Sequence, residues 1–369
     1  MINKKKIAFL SPSIGAGGAE RVICTLANEF HYRDYEVIII CLNPGEKPLY
    51  HLEKEVKVIS LISTERKDSF FNRIRFGVVT FFSLIHTLKK ESPSILFAFQ
   101  TSANFWGGIV CSLLRIPYTV SERTSPKRTI YAKSGMMQII LSILYNKARA
   151  VIAPATGILE SIKQNSHFKS LNNLQLIRNF VQPFNIFKEE KVHPNKFVLG
   201  AGRLEFVKGF DRLIDSFALL KTTGVDLLIV GNGTERISLE NRITALGLQK
   251  KVFLVGEVAN IQDYYKQCEI FVLPSRNEGY PNALIEAMSI GIPCIAMDCE
   301  FGPAEIINDG ENGFLVKDGN LSVLSGLMDK LLTCDHLRFK IAAAAINILV
   351  SNSYQTIVNE WHSLIVTYA

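Results

Sequence analysis

The stretch FVLGAGRLEFVKGFDRLIDSFALL, Phe197–Leu220, holds one complete structural unit. Phe197–Gly202 is a short apolar run closed by glycine, which predicts a buried strand and a turn. From Phe210 onward Leu213, Ile214, Phe217 and Leu220 recur at helical spacing, which predicts a helix with one face on a core. Strand, glycine turn and helix in succession form the unit of a parallel sheet covered by helices.

The same unit repeats in both directions. Toward the carboxyl end, strands are predicted at Asp226–Gly231, Val252–Gly256, Ile270–Ser275, Pro293–Asp298 and Gly313–Val316. Toward the amino end they fall at Ile7–Leu10, Glu36–Leu42, Val56–Leu61, Ile95–Phe99, Tyr118–Glu122 and Ala150–Ala155. Between the two sets, Arg178–Phe197 carries prolines, asparagines and charge without periodicity, which marks a seam. The expected fold is therefore α/β, with two doubly wound Rossmann-like domains at 1–182 and 183–353 and an interdomain cleft as the default ligand site.

Composition agrees with buried cores. Of 369 residues, 48% are hydrophobic and 20% charged, which argues against disorder. The cysteines Cys24, Cys41, Cys111, Cys268, Cys294, Cys299 and Cys334 are scattered without C-x-x-C spacing and read as reduced thiols. The opening MINKKKIAFLSPS has too short an apolar run for a signal peptide and reads as the first strand. Ser92–Leu114 is free of charge, but Pro93, Gln100, Asn104 and the Gly107-Gly108 pair favour a strand, a loop and a buried helix over a membrane span.

Charge is unevenly spread. Residues 1–180 hold 24 Lys and Arg against 12 Asp and Glu, whereas the remainder holds 17 against 22. A basic first half calls for an anionic neighbour. Glu65–Ser94 mixes Arg66, Lys67, Arg73, Arg75, Lys89 and Lys90 with five phenylalanines, a pattern suited to an anionic membrane or a lipid diphosphate. No nucleic-acid motif accompanies the charge.

Phosphate-handling signals sit at the predicted turns. Gly15, Gly17 and Gly18 follow the first strand and precede a helix, although the third glycine is misplaced for a dinucleotide fingerprint. Arg203 and Lys208 follow the strand of the opening stretch and together suit a diphosphate. Gly231 and Gly233 form another strand–loop–helix turn, and the loop at Val258 offers backbone groups to a base edge. Glu278 and Glu286 stand eight positions apart in SRNEGYPNALIEAMSIGIP, the first in a turn and the second in an apolar helix. A carboxylate among apolar neighbours is costly without a partner.

Taken together, SIGAGGAER, GAGRLEFVKGFDRLIDSF, VGNGTER, VFLVGEV and PSRNEGYPNALIEAMSIGIPCIAMD resemble glycosyltransferase family 4, whose members have the GT-B fold and retain configuration at the donor's anomeric carbon. The resemblance places the family's E-x7-E motif on Glu278, which would contact the donor sugar, and Glu286, which would hold the ribose hydroxyls. It places the basic pair that stabilises the leaving diphosphate on Arg203 and Lys208. Gly17, Gly18, Gly231, Gly233, Val258, Gly279, Tyr280, Asn282 and Ala283 become further donor contacts. The resemblance implies a UDP-sugar donor such as UDP-GalNAc, UDP-GlcNAc or UDP-Gal, a polyprenyl-diphosphate-linked saccharide acceptor, and no metal or other cofactor. It also implies a C-terminal helix at about 354–369 that packs back on the first domain, and a cytoplasmic enzyme peripheral to the inner face of the membrane.

The chain departs from the family where many members carry a histidine after a Ser-Glu pair, since YTVSERTSP has Arg123 there. Arginine is no base at neutral pH. Arg123, Glu122, Arg73 and Arg75 are accordingly acceptor-side candidates. Front-side attack, with the leaving phosphate taking the acceptor proton, is favoured over a covalent intermediate on Glu278. Two other readings stay open at this point: a nucleotide-sugar 2-epimerase of the same fold, and a non-enzymatic membrane- or nucleic-acid-binding module.

Overall fold

The computed structural model describes residues 4–15, 17–43, 50–62, 70–182 and 190–369, with backbone alone at 70–74. It divides into two units, Met1–Asn179 with Gln355–Ala369, and Phe180–Tyr354.

The first unit is built on seven parallel strands: β1 (Lys6–Ser11), β2 (Glu36–Cys41), β3 (Lys57–Ser60), β4 (Ile95–Phe99), β5 (Tyr118–Ser121), β6 (Val151–Ala153) and β7 (Leu174–Leu176). Their order is β3-β2-β1-β4-β5-β6-β7. The chain thus winds outward from β1 in one direction and then restarts beside it at β4. Side chains alternate across the sheet, so Phe97 and Phe99 share one face while Leu96 and Ala98 share the other. Phe9 pairs in register with Phe97 and stacks on it at 5.5 Å. The C-terminal helix Tyr354–Tyr368 supplies Trp361 to the same face, 5.4 Å from Phe99 and fully buried. On the opposite face, helix Thr101–Leu114 comes so close that a Cβ on Gly107 would lie 3.0 Å from Leu10 and Leu96. This helix lies between Phe70–Glu91 and Gly135–Lys147. The charge-free run from Ser92 is therefore a strand and a packed helix.

The sequence reading missed β7. It is three residues long, half-buried, and lies at the sheet edge against β6, so LQL carries neither a sustained apolar run nor a full alternation.

The second unit holds six parallel strands, β8 (Lys196–Ala201), β9 (Val225–Val230), β10 (Val252–Gly256), β11 (Ile270–Leu273), β12 (Cys294–Asp298) and β13 (Phe314–Lys317), ordered β10-β9-β8-β11-β12-β13. The helix of the opening stretch spans Phe210–Ala218 and buries Leu213, Ile214 and Phe217 as its periodicity predicts. Six of the cysteines are buried and Cys334 is exposed, all as free thiols.

Asp226 enters this core at the start of β9 and is buried. His193 Nε2 lies 2.8 Å from its Oδ2, Asn195 Nδ2 donates to the same oxygen at 2.8 Å, and Lys251 Nζ lies 3.2 Å from Oδ1. Burial alone would raise this carboxyl's pKa, but the bonds from His193 and Asn195 and the Lys251 ammonium outweigh it and hold the pKa below its ordinary value. A depressed folded-state pKa contributes stability above the unfolded value, about 3.9, and that contribution fades as pH falls through the folded value. In melts followed from pH 7 to pH 3, Asp226→Asn should start with the lower midpoint and lose less of it on acidification than the native chain. Parallel curves would remove Asp226 from the acid response.

Candidate active site

Sheet order places the first cluster. In an open α/β sheet, ligands bind outside the carboxyl ends of the strands where the winding reverses. In the second unit that point lies between β8 and β11. The loop after β8 carries Arg203 and Lys208; the loop after β11 carries Ser275 and Glu278. Lys208 Nζ donates to Glu278 Oε1 at 2.7 Å, and Ser275 Oγ donates to the same oxygen at 2.6 Å. Glu278 is only 7% exposed, yet both bonds converge on one of its oxygens. Arg203 is exposed, with no side-chain hydrogen bond among the described residues.

Arg276, which sequence reasoning passed over, joins these loops. Its backbone N–H donates to Val207 O at 2.8 Å, and its guanidinium lies 4.0 Å from the Phe206 ring centroid and grips both Asp211 oxygens at 2.7 and 2.5 Å. Gly209 follows Lys208 at φ +68°, and a Cβ there would stand 2.1 Å from Pro274 O. This close approach sets the lysine beside the glutamate. Cys299 lies near Glu278, and burial together with that carboxylate pushes its thiol up to about 12, so it stays neutral.

Glu286 is the fifth residue of helix Asn282–Ser289, which starts at Pro281 without a side-chain cap, leaving Asn282 and Ala283 at an uncapped end. Glu286 is 5% exposed, and the buried Tyr265 hydroxyl donates to its Oε2 at 3.4 Å. Tyr265 was not singled out from sequence; the signal available was its adjacency to Asp263 and Tyr264 at the preceding helix.

Other expected donor contacts find structural employment. A Cβ on Gly231 would lie 2.0 Å from Gly202 O, and one on Gly233 would lie 2.4 Å from Leu204 O, so these glycines let the loops after β8 and β9 pack backbone to backbone. Val258 lies half-buried in the loop after β10. Tyr280, expected at the sugar, is buried with its hydroxyl bonded to Asn352 at 2.8 Å.

The first unit corrects two expectations. Glu122 is fully buried and takes hydrogen bonds from Thr101 Oγ1 at 2.8 Å, Asn104 Nδ2 at 2.9 Å and the Tyr145 hydroxyl. Burial pushes its pKa up against these bonds. Arg123 is buried too, with Nη1 on Asn179 at 2.8 Å and its guanidinium against Phe99 at 4.7 Å and Trp361 at 5.4 Å. Burial lowers its pKa to about 9, so it stays charged at neutral pH. Both side chains are enclosed rather than displayed on an open surface, and Arg123 Nε and Nη2 have no hydrogen-bond partner among the described residues. At the glycine loop, Glu20 lays its carboxylate so close that a Cβ on Gly17 would stand 2.0 Å from Oε2. Gly18 opens the helix that follows. Arg75 is exposed, and the side chain of Arg73 lies outside the described residues. Among the described residues no three His, Cys, Asp or Glu side chains gather as a metal-binding group.

Comparison with known proteins covers nearly the whole chain. The family model described as Glycosyltransferase Family 4 matches residues 16–183, and that described as Glycosyl transferases group 1 matches residues 181–348. The amylovoran biosynthesis glycosyltransferase AmsD of Erwinia amylovora is 28% identical over 98% of this chain and 99% of its own. The N-acetylgalactosamine-N,N'-diacetylbacillosaminyl-diphospho-undecaprenol 4-alpha-N-acetylgalactosaminyltransferase of Campylobacter jejuni is 29% identical over 90% of this chain and 92% of its own. Among solved structures, sucrose-phosphate synthase from Thermosynechococcus elongatus superposes with a TM-score of 0.80 at 17% identity, covering 99% of both chains. Anabaena HepE in complex with UDP and glucose gives 0.76 at 21%, covering 99% of this chain and all of that one. The two-sheet architecture is that of the GT-B fold.

Proposed function

We propose that this chain, which belongs to glycosyltransferase family 4, is a retaining enzyme that moves a sugar from a UDP-sugar to a lipid-linked saccharide during surface-polysaccharide assembly. The observation that carries this reading is the Lys208–Glu278 pair, 2.7 Å apart at the switch point of the second sheet, with Glu286 eight residues farther on. The Glu286 carboxylate accepts both ribose hydroxyls. Glu278 orients the sugar, and Arg203 and Lys208 neutralise the charge that develops as the bond from the anomeric carbon to the diphosphate oxygen breaks. The acceptor hydroxyl attacks the same face and gives its proton to the leaving phosphate, so no protein base is required. On this reading the two cations replace a metal. The relatives from Erwinia and Campylobacter support the pathway type and the lipid diphosphate acceptor.

The test is a panel of UDP-sugars with saccharides on polyprenyl diphosphate, read by product mass and anomeric configuration. A product of retained configuration is expected. An inverted product would overturn the mechanism, and an epimerised sugar nucleotide formed from donor alone would favour the epimerase reading.

Peripheral membrane attachment forms part of the proposal. Three neighbouring helices expose apolar side chains: Val78, Val79 and Phe82 (63% exposed), Leu113, and Met136 (73%), Ile139 and Ile143. Between Ser92 and Leu159 the sole acidic residue is the buried Glu122, whereas Arg115, Lys127, Arg128, Lys133 and Lys147 are exposed. Exposed apolar side chains on helices whose exposed charged residues, among the described side chains, are basic match an anionic bilayer. The run Asp335–Tyr368 is long and apolar enough to cross a membrane, yet it is broken into three helices and the last one buries Trp361. Sedimentation with phosphatidylglycerol-rich vesicles should fall about ten-fold for the pair Ile139→Asp and Ile143→Asp. Equal sedimentation would place the contact elsewhere.

A further inference from the structure

The switch point of the first sheet lies between β1 and β4, and two polar side chains meet there. Gln100 follows β4 with φ 73° and ψ 149°, a conformation left almost entirely to glycine. Such strain persists where the surroundings enforce it, most often at functional sites. Its carboxamide Nε2 donates to Glu20 Oε1 at 3.3 Å. Glu20 comes from the first turn of helix Gly18–Tyr32, is 9% exposed, and takes only this one hydrogen bond among the described residues. A carboxylate offers about four acceptor positions, so most of those on Glu20 remain open to a donor. The lack of a side chain at Gly17 is what admits this carboxylate.

The glycine loop therefore already carries an anion of its own. A diphosphate in the same place would meet a like charge. A sugar hydroxyl, which donates, would complete the carboxylate, and the Gln100 carboxamide can both accept from and donate to a neighbouring hydroxyl. We infer that Glu20 and Gln100 form a subsite for the hydroxyls of the acceptor sugar. The inference rests on the transferase reading for the word acceptor, while the saccharide chemistry rests on the site itself.

A structural role for Glu20, as an acid favouring the helix start, predicts something different: lower stability with unchanged sugar binding. The experiment uses the full chain saturated with UDP and a panel of methyl glycosides of glucose, galactose and their N-acetylamino forms, followed by saturation-transfer NMR. At least one glycoside should give a signal that falls five-fold or more in Glu20→Gln and in Gln100→Gly, while UDP affinity stays within two-fold of the native value. Gln100→Gly should show no fall in Tm, because glycine relieves the strained backbone. Signals that persist in both variants, or no glycoside signal in the native chain, would overturn the subsite. A matching loss of UDP affinity would overturn it by moving Glu20 to the donor. Failure of the transferase reading would instead appear in the donor and acceptor panel, whatever the glycosides do here.

Discussion

Replacing Glu286 by alanine should weaken UDP binding by about 100-fold while the chain stays folded. A hydrogen bond to a charged group contributes about 1.5–3 kcal/mol, and two ribose hydroxyls on one carboxylate would supply about 3 kcal/mol at the low end. At about 1.4 kcal/mol per factor of ten, that is roughly 100-fold in Kd. Alanine is the best helix former, so the helix Asn282–Ser289 should tolerate it. The loss of contact with Tyr265 is a modest cost, since that hydrogen bond is long at 3.4 Å. Calorimetric titration with UDP checks the role. Undiminished affinity in a folded variant would reduce Glu286 to a buried core carboxylate.

Lys208→Ala should lower kcat by about 10²–10³-fold, the usual cost of removing one group aimed at developing charge. Here the geometry sharpens the expectation. Lys208 is half-buried and paired with Glu278, so its ammonium is already held beside the residue expected to orient the sugar. Removing it leaves Glu278 with the Ser275 hydroxyl as its remaining hydrogen bond in the cluster. Some stability is lost as a result, and a thermal melt must accompany the kinetics. The distinguishing result is a fall in kcat much larger than the rise in Kd for UDP, because the charge to be neutralised grows as the diphosphate leaves. Native turnover in the folded variant would end the assignment.

Much of this architecture could be read from residues alone, for local reasons. Apolar runs of strand length and helical spacing depend only on neighbours in the chain, so Phe197–Ala201 and Leu213, Ile214 and Phe217 appear where their pattern puts them. The placement of Glu278 in a turn and Glu286 on the following helix is local in the same way. The sequence also marked the basic first half, in which Arg115, Lys127, Arg128, Lys133 and Lys147 are exposed.

Where side chains separated by long stretches meet was not local, and the misreadings cluster there. Glu122 and Arg123 are adjacent in a motif that suggested an open acceptor surface, yet one turns toward Asn104 and Tyr145 and the other toward Trp361, far away in sequence. Tyr280, expected at the sugar, bonds through its hydroxyl to Asn352, 72 positions away. Glu20 and Gln100 are 80 positions apart and meet because β4 lies beside β1. The sequence by itself determined the strands other than β7, the two doubly wound halves and the order of the motifs, since turn chemistry and periodicity are written in consecutive residues. Only the tertiary structure decided which carboxylates are enclosed and which lie at a switch point, because strand order brings those groups together and desolvates them.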